Sequence, residues 1–206
     1  MFSTLYLSQN SCKPSNFSGG TGSTALGLSF GSGDIGLLNY LLVVEWVQYN
    51  FYLKLINSGV FNKTSNTYSL LGDIVNHQNI HYQFYLKTLG TNALTGISLD
   101  FSTIDFSQYA TVISNADKFQ NVEAQAYNGV AKYFQSSAFL TLTSQIGMVE
   151  SRHSAYITGL NQSGTFIDSS VVNSSGFENS LSPQAVLTFY KPYIKTALDS
   201  TTLPSS

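Results

Sequence analysis

Glu150-Ser151-Arg152-His153 sets a carboxylate and an imidazole three residues apart, which on a helix is a single face, so both side chains can hold one ion or bridge two. Gln78-Asn79-Ile80-His81 repeats the spacing with an amide in the place of the carboxylate. Glu45 and Glu123 each interrupt an apolar stripe at helical spacing. Carboxylates and imidazoles buried among apolar side chains cost several kcal/mol unless something compensates them, and a shared divalent metal ion is the most economical compensation. Gln78, a neutral amide, is a poor bridging ligand for a hard cation and brings no charge.

Four amphipathic helices must position these groups. The first, over 34–57 with Asp34 as its expected N-cap, carries the stripe Leu38, Leu42, Glu45, Tyr49, Tyr52 and Ile56 and stops at Asn57-Ser58-Gly59. The second, over 69–89, places Leu71, Ile74, Gln78, His81 and Tyr85 on one face and ends at Gly90. Residues 91–106 read as an irregular connection long enough to run the length of a bundle. The third helix, over 107–135, presents Val112, Ala116, Phe119, Glu123, Tyr127, Val130 and Phe134. A short turn at Gln135-Ser136-Ser137 leads to the fourth, over 138–160, with Phe139, Leu142, Ile146, Glu150, His153, Ile157 and Leu160. Short link, long crossover and short link predict two antiparallel hairpins in an all-α bundle. Further on, Ser182-Pro183 opens a C-terminal helix that Pro192 kinks or divides, and Thr201 to Ser206 is expected to fray.

The pattern resembles the ferritin-like domain family that includes bacterial ferritin-like proteins and the desiccation-related proteins of plants. The resemblance spans roughly residues 34–160 and is carried by Leu38-Asn39-Tyr40 with Glu45 and Phe51-Tyr52, by Ile80-His81, by Ala126-Tyr127 with Gly129, and above all by Val149-Glu150-Ser151-Arg152-His153-Ser154-Ala155-Tyr156. It implies a four-helix bundle with one long crossover and puts Glu45, His81, Glu150 and His153 in metal-ligand positions. Two residues depart from the family pattern. Gln78 replaces a carboxylate, and alignment on Ala126-Tyr127 puts Gln120, not Glu123, at the helix-three carboxylate position. Gln120 and Glu123 lie one turn apart on nearly one face, so Glu123 either substitutes with a shifted geometry or faces water. Four carboxylates would neutralise two divalent ions. This chain offers three at most, or two, which leaves open a dinuclear site of iron or manganese, a mononuclear one, and a metal-free remnant held by hydrogen bonds.

Tyrosines stand one turn beyond these groups, at Tyr49, Tyr85, Tyr127 and Tyr156, and read first as core filler whose hydroxyls meet buried carboxylates. Orienting ligands is the alternative. His77 is off the best stripe and is expected at the surface.

Residues 1–33 form a Ser/Gly-rich arm without helical periodicity, 34–160 the bundle, and 161–206 an extension with one helix. Gly20, Gly22 and Ala25 imitate a dinucleotide loop, but no apolar strand precedes them. Cys12, alone, excludes an internal disulfide framework and reads as an unremarkable leader residue. Charged residues make up only 10% of the chain and the net charge is −2, without any Lys/Arg cluster, which argues against nucleic-acid binding. The apolar run Leu37 to Val47 is too short to span a bilayer, and Met1 to Asn10 lacks the features of a secretory signal. So weakly charged a surface suits a homo-oligomer or larger assembly and inclines toward an extracytoplasmic setting, which sequons at Asn16, Asn62, Asn161 and Asn173 permit.

Two functions compete on this reading. One is a ferritin-like iron or manganese protein acting in oxidant or stress protection; the other is a structural or self-assembling protein that keeps the bundle with a degenerate metal site. A hydrolase working through Glu150 and His153 is a distant third, since no nucleophile or oxyanion-binding loop accompanies them.

Overall fold

The computed structural model describes residues 27–205. Cys12, Asn16, the glycine spacing at Gly20 and Gly22 and most of the expected arm lie outside the described residues. The main elements are α1 (Gly33–Ile56), α2 (Asn66–Leu89), α3 (Tyr109–Ala131) and α4 (Ser137–Asn161), followed by a short α5 (Pro183–Tyr190). Helix α1 packs along α2 and α3 along α4, and α1 meets α3 to join the two hairpins into a four-helix bundle. The crossover between α2 and α3 starts with a 3₁₀ turn over Gly90–Asn92 and is otherwise extended or irregular.

Helix α1 is buried on every side from Gly36 to Glu45, which explains why its apolar run is nearly continuous rather than striped. The crossover and the C-terminal extension cover the side that a simple bundle would leave to water. Asn39 fastens the crossover there: its amide donates to the carbonyls of Phe30 (3.0 Å) and Asn92 (2.9 Å) and its oxygen accepts from the Leu94 N–H (2.8 Å). Trp46 adds a hydrogen bond from its indole to the Ile97 carbonyl at 3.0 Å.

Several boundaries differ from expectation, for local reasons. Ser32, not Asp34, occupies the N-cap position of α1. Asp34 serves the other hairpin instead: its two oxygens accept from the backbone N–H groups of Gln135 and Ser136, each at 2.8 Å, just before α4. Helix α2 starts earlier than Ser69 because Ser65 caps it, its hydroxyl accepting from Tyr68 N–H at 3.1 Å. Helix α3 is shorter than 107–135; the N–H groups of Tyr133 and Phe134 bond the carbonyls of Val130 and Ala131, tightening the chain into a turn. In α4 Leu142 is exposed and Thr143 is buried, since Thr143 precedes Glu150 by almost two full turns while Leu142 is rotated well off that line. Helix α5 stops at Tyr190, so Pro192 follows the helix and neither kinks nor divides it.

The extension 161–205 is built into the bundle. Leu181 donates its N–H to the Gln125 carbonyl at 3.0 Å, and a Cβ at Gly129 would lie 1.8 Å from the Leu181 oxygen, so only glycine permits this approach. Two short strands, β1 (Leu28–Ser29) and β2 (Leu198–Asp199), pair in parallel with Leu28 opposite Leu198. The segment expected to fray is instead pinned by buried Leu203 and by the Thr202 hydroxyl, 2.5 Å from the Gly31 carbonyl; Ser206 lies outside the described residues. Among the described residues no helix is long and apolar enough to cross a membrane.

Candidate metal centre

The midpoints of the four long helices converge on one buried polar cluster. Glu45 comes from α1, Gln78 and His81 from α2, Gln120 and Glu123 from α3, and Glu150 and His153 from α4; all seven are buried. The helical register that puts apolar residues on each inner face puts these groups there too, so the fold draws them away from bulk water.

Glu45, His81 and Glu150 offer ligand atoms that all lie within 4.8 Å of one another. His81 Nδ1 stands 2.7 Å from Glu150 Oε1 and 3.6 Å from Glu45 Oε1. The 2.7 Å contact is close, yet neither atom has a partner in hydrogen-bond geometry. Glu45 Oε2 likewise has no partner. Tyr127 donates a short hydrogen bond to Glu45 Oε1 and accepts one from the Tyr85 hydroxyl at 3.1 Å. Tyr49 and Tyr156 are only half-buried, so of the four tyrosines one turn beyond the polar groups, two reach this centre.

The other half of the cluster is closed by amides. Gln78 Nε2 donates to Glu123 Oε2 (2.9 Å) and Glu150 Oε2 (2.8 Å), and Gln120 Nε2 donates to the same two oxygens (2.6 and 2.8 Å). His153 Nδ1 lies 2.9 Å from Glu150 Oε2 as well. Glu123 and Gln120 therefore both face inward: Glu123 does not turn to water, and Gln120 bonds the two carboxylates.

Burial is the main force on the Glu45 carboxyl and, against the opposing pull of His81 and Tyr127, lifts its pKa to about 7. Burial, reinforced by the Glu150 and Glu45 charges, drives Glu123 well above the carboxylate range. Burial pushes on Glu150 in the same sense, but His153 and His81 outweigh it and hold this carboxyl below its ordinary value. For His81 burial disfavours the charge, and contacts with Glu150 and Glu45 overcome it, raising the pKa to about 10. Without metal the cluster thus keeps Glu150 ionised against a protonated His81 and shares further protons among Glu45 and Glu123.

The donor set fits one divalent ion. Two carboxylates and an imidazole converge: His81 Nδ1 and Glu150 Oε1 face each other at 2.7 Å, and buried Glu45 Oε2 has no hydrogen-bond partner, so a cation that displaces the His81 proton finds carboxylate and imidazole donors already gathered.

His77 is exposed, as expected, but its Nδ1 stands 3.0 Å from His153 Nε2, a contact the stripe analysis missed. The available signal was that His77 precedes His81 by one turn and so shares its side of α2. Gln48 was also missed: fully buried, its amide donates to the Phe119 carbonyl (2.6 Å) and the Tyr190 hydroxyl (3.0 Å) and ties α1 to α3 and α5.

Residues 33–163 match the family model described as a ferritin-like domain. The chain matches no curated protein.

Proposed function

From the premise that this chain belongs to the ferritin-like domain family, we propose that it binds a single divalent metal ion, iron or manganese, between Glu45, His81 and Glu150 and serves oxidant or stress protection. The observation that carries this reading is the convergence of a buried imidazole and two buried carboxylates whose ligand atoms all lie within 4.8 Å of one another. Bound iron or manganese would supply one-electron redox chemistry.

The surrounding residues prepare that site. Tyr127 fixes the Glu45 carboxylate through one oxygen and leaves the other free. Gln78, Gln120 and His153 together hold Glu150 Oε2, which orients Oε1 toward His81. Buried Tyr52 and Tyr85 exclude bulk water and strengthen every electrostatic contact inside. His81 and Glu45 must give up their protons to act as ligands, so metal uptake releases protons from these two atoms.

The amide clamp on Glu123 and Glu150 favours a second reading, a structural bundle whose polar centre is satisfied without metal. Metal analysis of protein purified without chelators separates the two. About one iron or manganese per chain, lost in Glu45→Gln and His81→Ala, supports metal binding; negligible and equal content in all three proteins supports the structural role.

A further inference from the structure

The only three histidines of the chain, His77, His81 and His153, gather at one place on the α2–α4 side of the bundle. His81 turns a nitrogen toward the carboxylates, whereas His77 and His153 turn nitrogens toward each other. We propose that His77 Nδ1 and His153 Nε2 form a second, solvent-open site for a borderline transition-metal ion, of which Zn²⁺ and Cu²⁺ are the working probes, outside the Glu45–His81–Glu150 centre.

The geometry of His153 is that of a prepared ligand. Its Nδ1 lies 2.9 Å from Glu150 Oε2, a carboxylate oxygen that can only accept, so the ring proton sits on Nδ1 and the Nε2 lone pair points outward. Carboxylate–histidine–metal arrangements use this same orientation to fix the tautomer and raise ligand basicity. This leaves His153 facing outward with the nitrogen that does not serve the buried cluster.

His77 completes the pair. The rings are 9° from parallel with centroids 5.2 Å apart, while the facing nitrogens are 3.0 Å apart. A centroid separation larger than the N···N separation by about a ring diameter means the rings meet edge to edge, not face to face. Without metal, His77 Nδ1–H donates to His153 Nε2. A tautomeric shift of the His77 proton to Nε2 presents two lone pairs across the same gap. Two imidazoles on one zinc, with Zn–N bonds of ~2.0–2.1 Å, hold their nitrogens about 3.3 Å apart and aim both lone pairs at the ion instead of at each other, so the exposed His77 ring must swing out of line with His153 to admit it. Water from the exposed side fills the remaining positions, and an all-imidazole protein donor set suits zinc, copper or nickel rather than magnesium or calcium. Asp73, one turn before His77, adds negative potential on the same side.

The test uses Glu45→Gln to silence the inner site and adds His77→Ala to it. Cu²⁺-loaded Glu45→Gln is expected to show electron paramagnetic resonance couplings from two imidazoles, and the double variant to lose one of them together with more than about tenfold of copper affinity. Identical couplings and affinity with and without His77 would overturn the proposal. In zinc equilibrium dialysis, His77→Ala alone should lose the outer ion and keep the inner one. Failure of the inner site reads differently: Glu45→Gln would then bind as much iron or manganese as the unsubstituted protein, whatever His77 does.

Discussion

Gln78 on α2 reaches Glu150 on α4 with a hydrogen bond of 2.8 Å, and the same amide nitrogen bonds Glu123 on α3 at 2.9 Å. One neutral group thus holds two carboxylates that would otherwise repel across the bundle centre. Replacing it by a carboxylate turns the clamp into a third or fourth anion, tolerable only with more cation. Gln78→Glu is therefore expected to destabilise the metal-free protein and to raise metal content from about one toward two ions per chain. Calorimetric titration with Mn²⁺ measures the count; an unchanged count with lowered stability would show that the second half of the cluster cannot take metal.

Metal binding should shift the pH of maximum stability. In the metal-free protein, Glu45 has a folded pKa of about 7 against its ordinary 4.5, and His81 about 10 against its ordinary 6.5. Both folded values are raised, so both contributions are present at low pH; Glu45's fades as pH rises from 4.5 to about 7 and that of His81 from 6.5 to about 10. Glu150, held below its ordinary value, works in the opposite sense, and its contribution is lost as pH falls below about 4.5. Metal-free protein is therefore expected to be most stable under mildly acidic conditions, and metal-loaded protein at higher pH, where the ligands are deprotonated. Thermal unfolding across pH with and without Mn²⁺ checks this, and coincident profiles would contradict it.

Chelation gives a stability readout independent of redox activity. An ion at about 100 times its Kd stabilises the native state by about 2.7 kcal/mol, and for a chain of this size that corresponds to roughly 5–10 °C in Tm. Addition of EDTA should remove this increment from the unsubstituted protein and leave Glu45→Gln/His81→Ala unaffected.

Asp34→Ala is expected to cost about 1 kcal/mol, because it strips the backbone N–H groups of Gln135 and Ser136 of their acceptor at the start of α4. Asp34→Asn should recover part of that loss, since one side-chain oxygen remains. Urea denaturation of the three proteins measures it.

Gly129→Ala should cost more, several kcal/mol, because the added Cβ would sit 1.8 Å from the Leu181 oxygen. The expected signature is faster amide exchange at Leu181 and through α5 while α1 and α2 stay protected. Uniform loss of protection would show that the extension and the bundle unfold as one unit.

The helices, their order and the crossover were legible because four apolar stripes run at one spacing with stop signals between them. Glu45, Gln78, His81, Glu123, Glu150 and His153 were legible as candidates because polar groups in such stripes cannot escape burial. Side-chain partnerships were not. The spacing of Gln120 and Glu123 puts both on nearly one face of α3 but does not say which groups they meet, since that depends on where α2 and α4 place their own amide and carboxylate. Asp34 misled for a similar reason: an acidic residue at a helix start looks like a cap for its own helix, and only the bundle brings it to another. The pairing of Leu28 with Leu198 left no sequence signal because two-residue strands are too short to show alternation.

That pairing sets an order on folding. Closing a loop from Leu28 to Leu198 in an unstructured chain would cost roughly 4–5 kcal/mol of entropy, far more than a two-residue ladder returns. It becomes favourable only once the bundle has already drawn the two segments together, so the clasp belongs to the last stage of folding and not to its nucleus. During synthesis the four long helices have all emerged before Leu198 does, and Leu28 must wait for its strand partner until nearly the whole described chain is made. Truncation before residue 198 would thus leave a bundle that can assemble but cannot be latched.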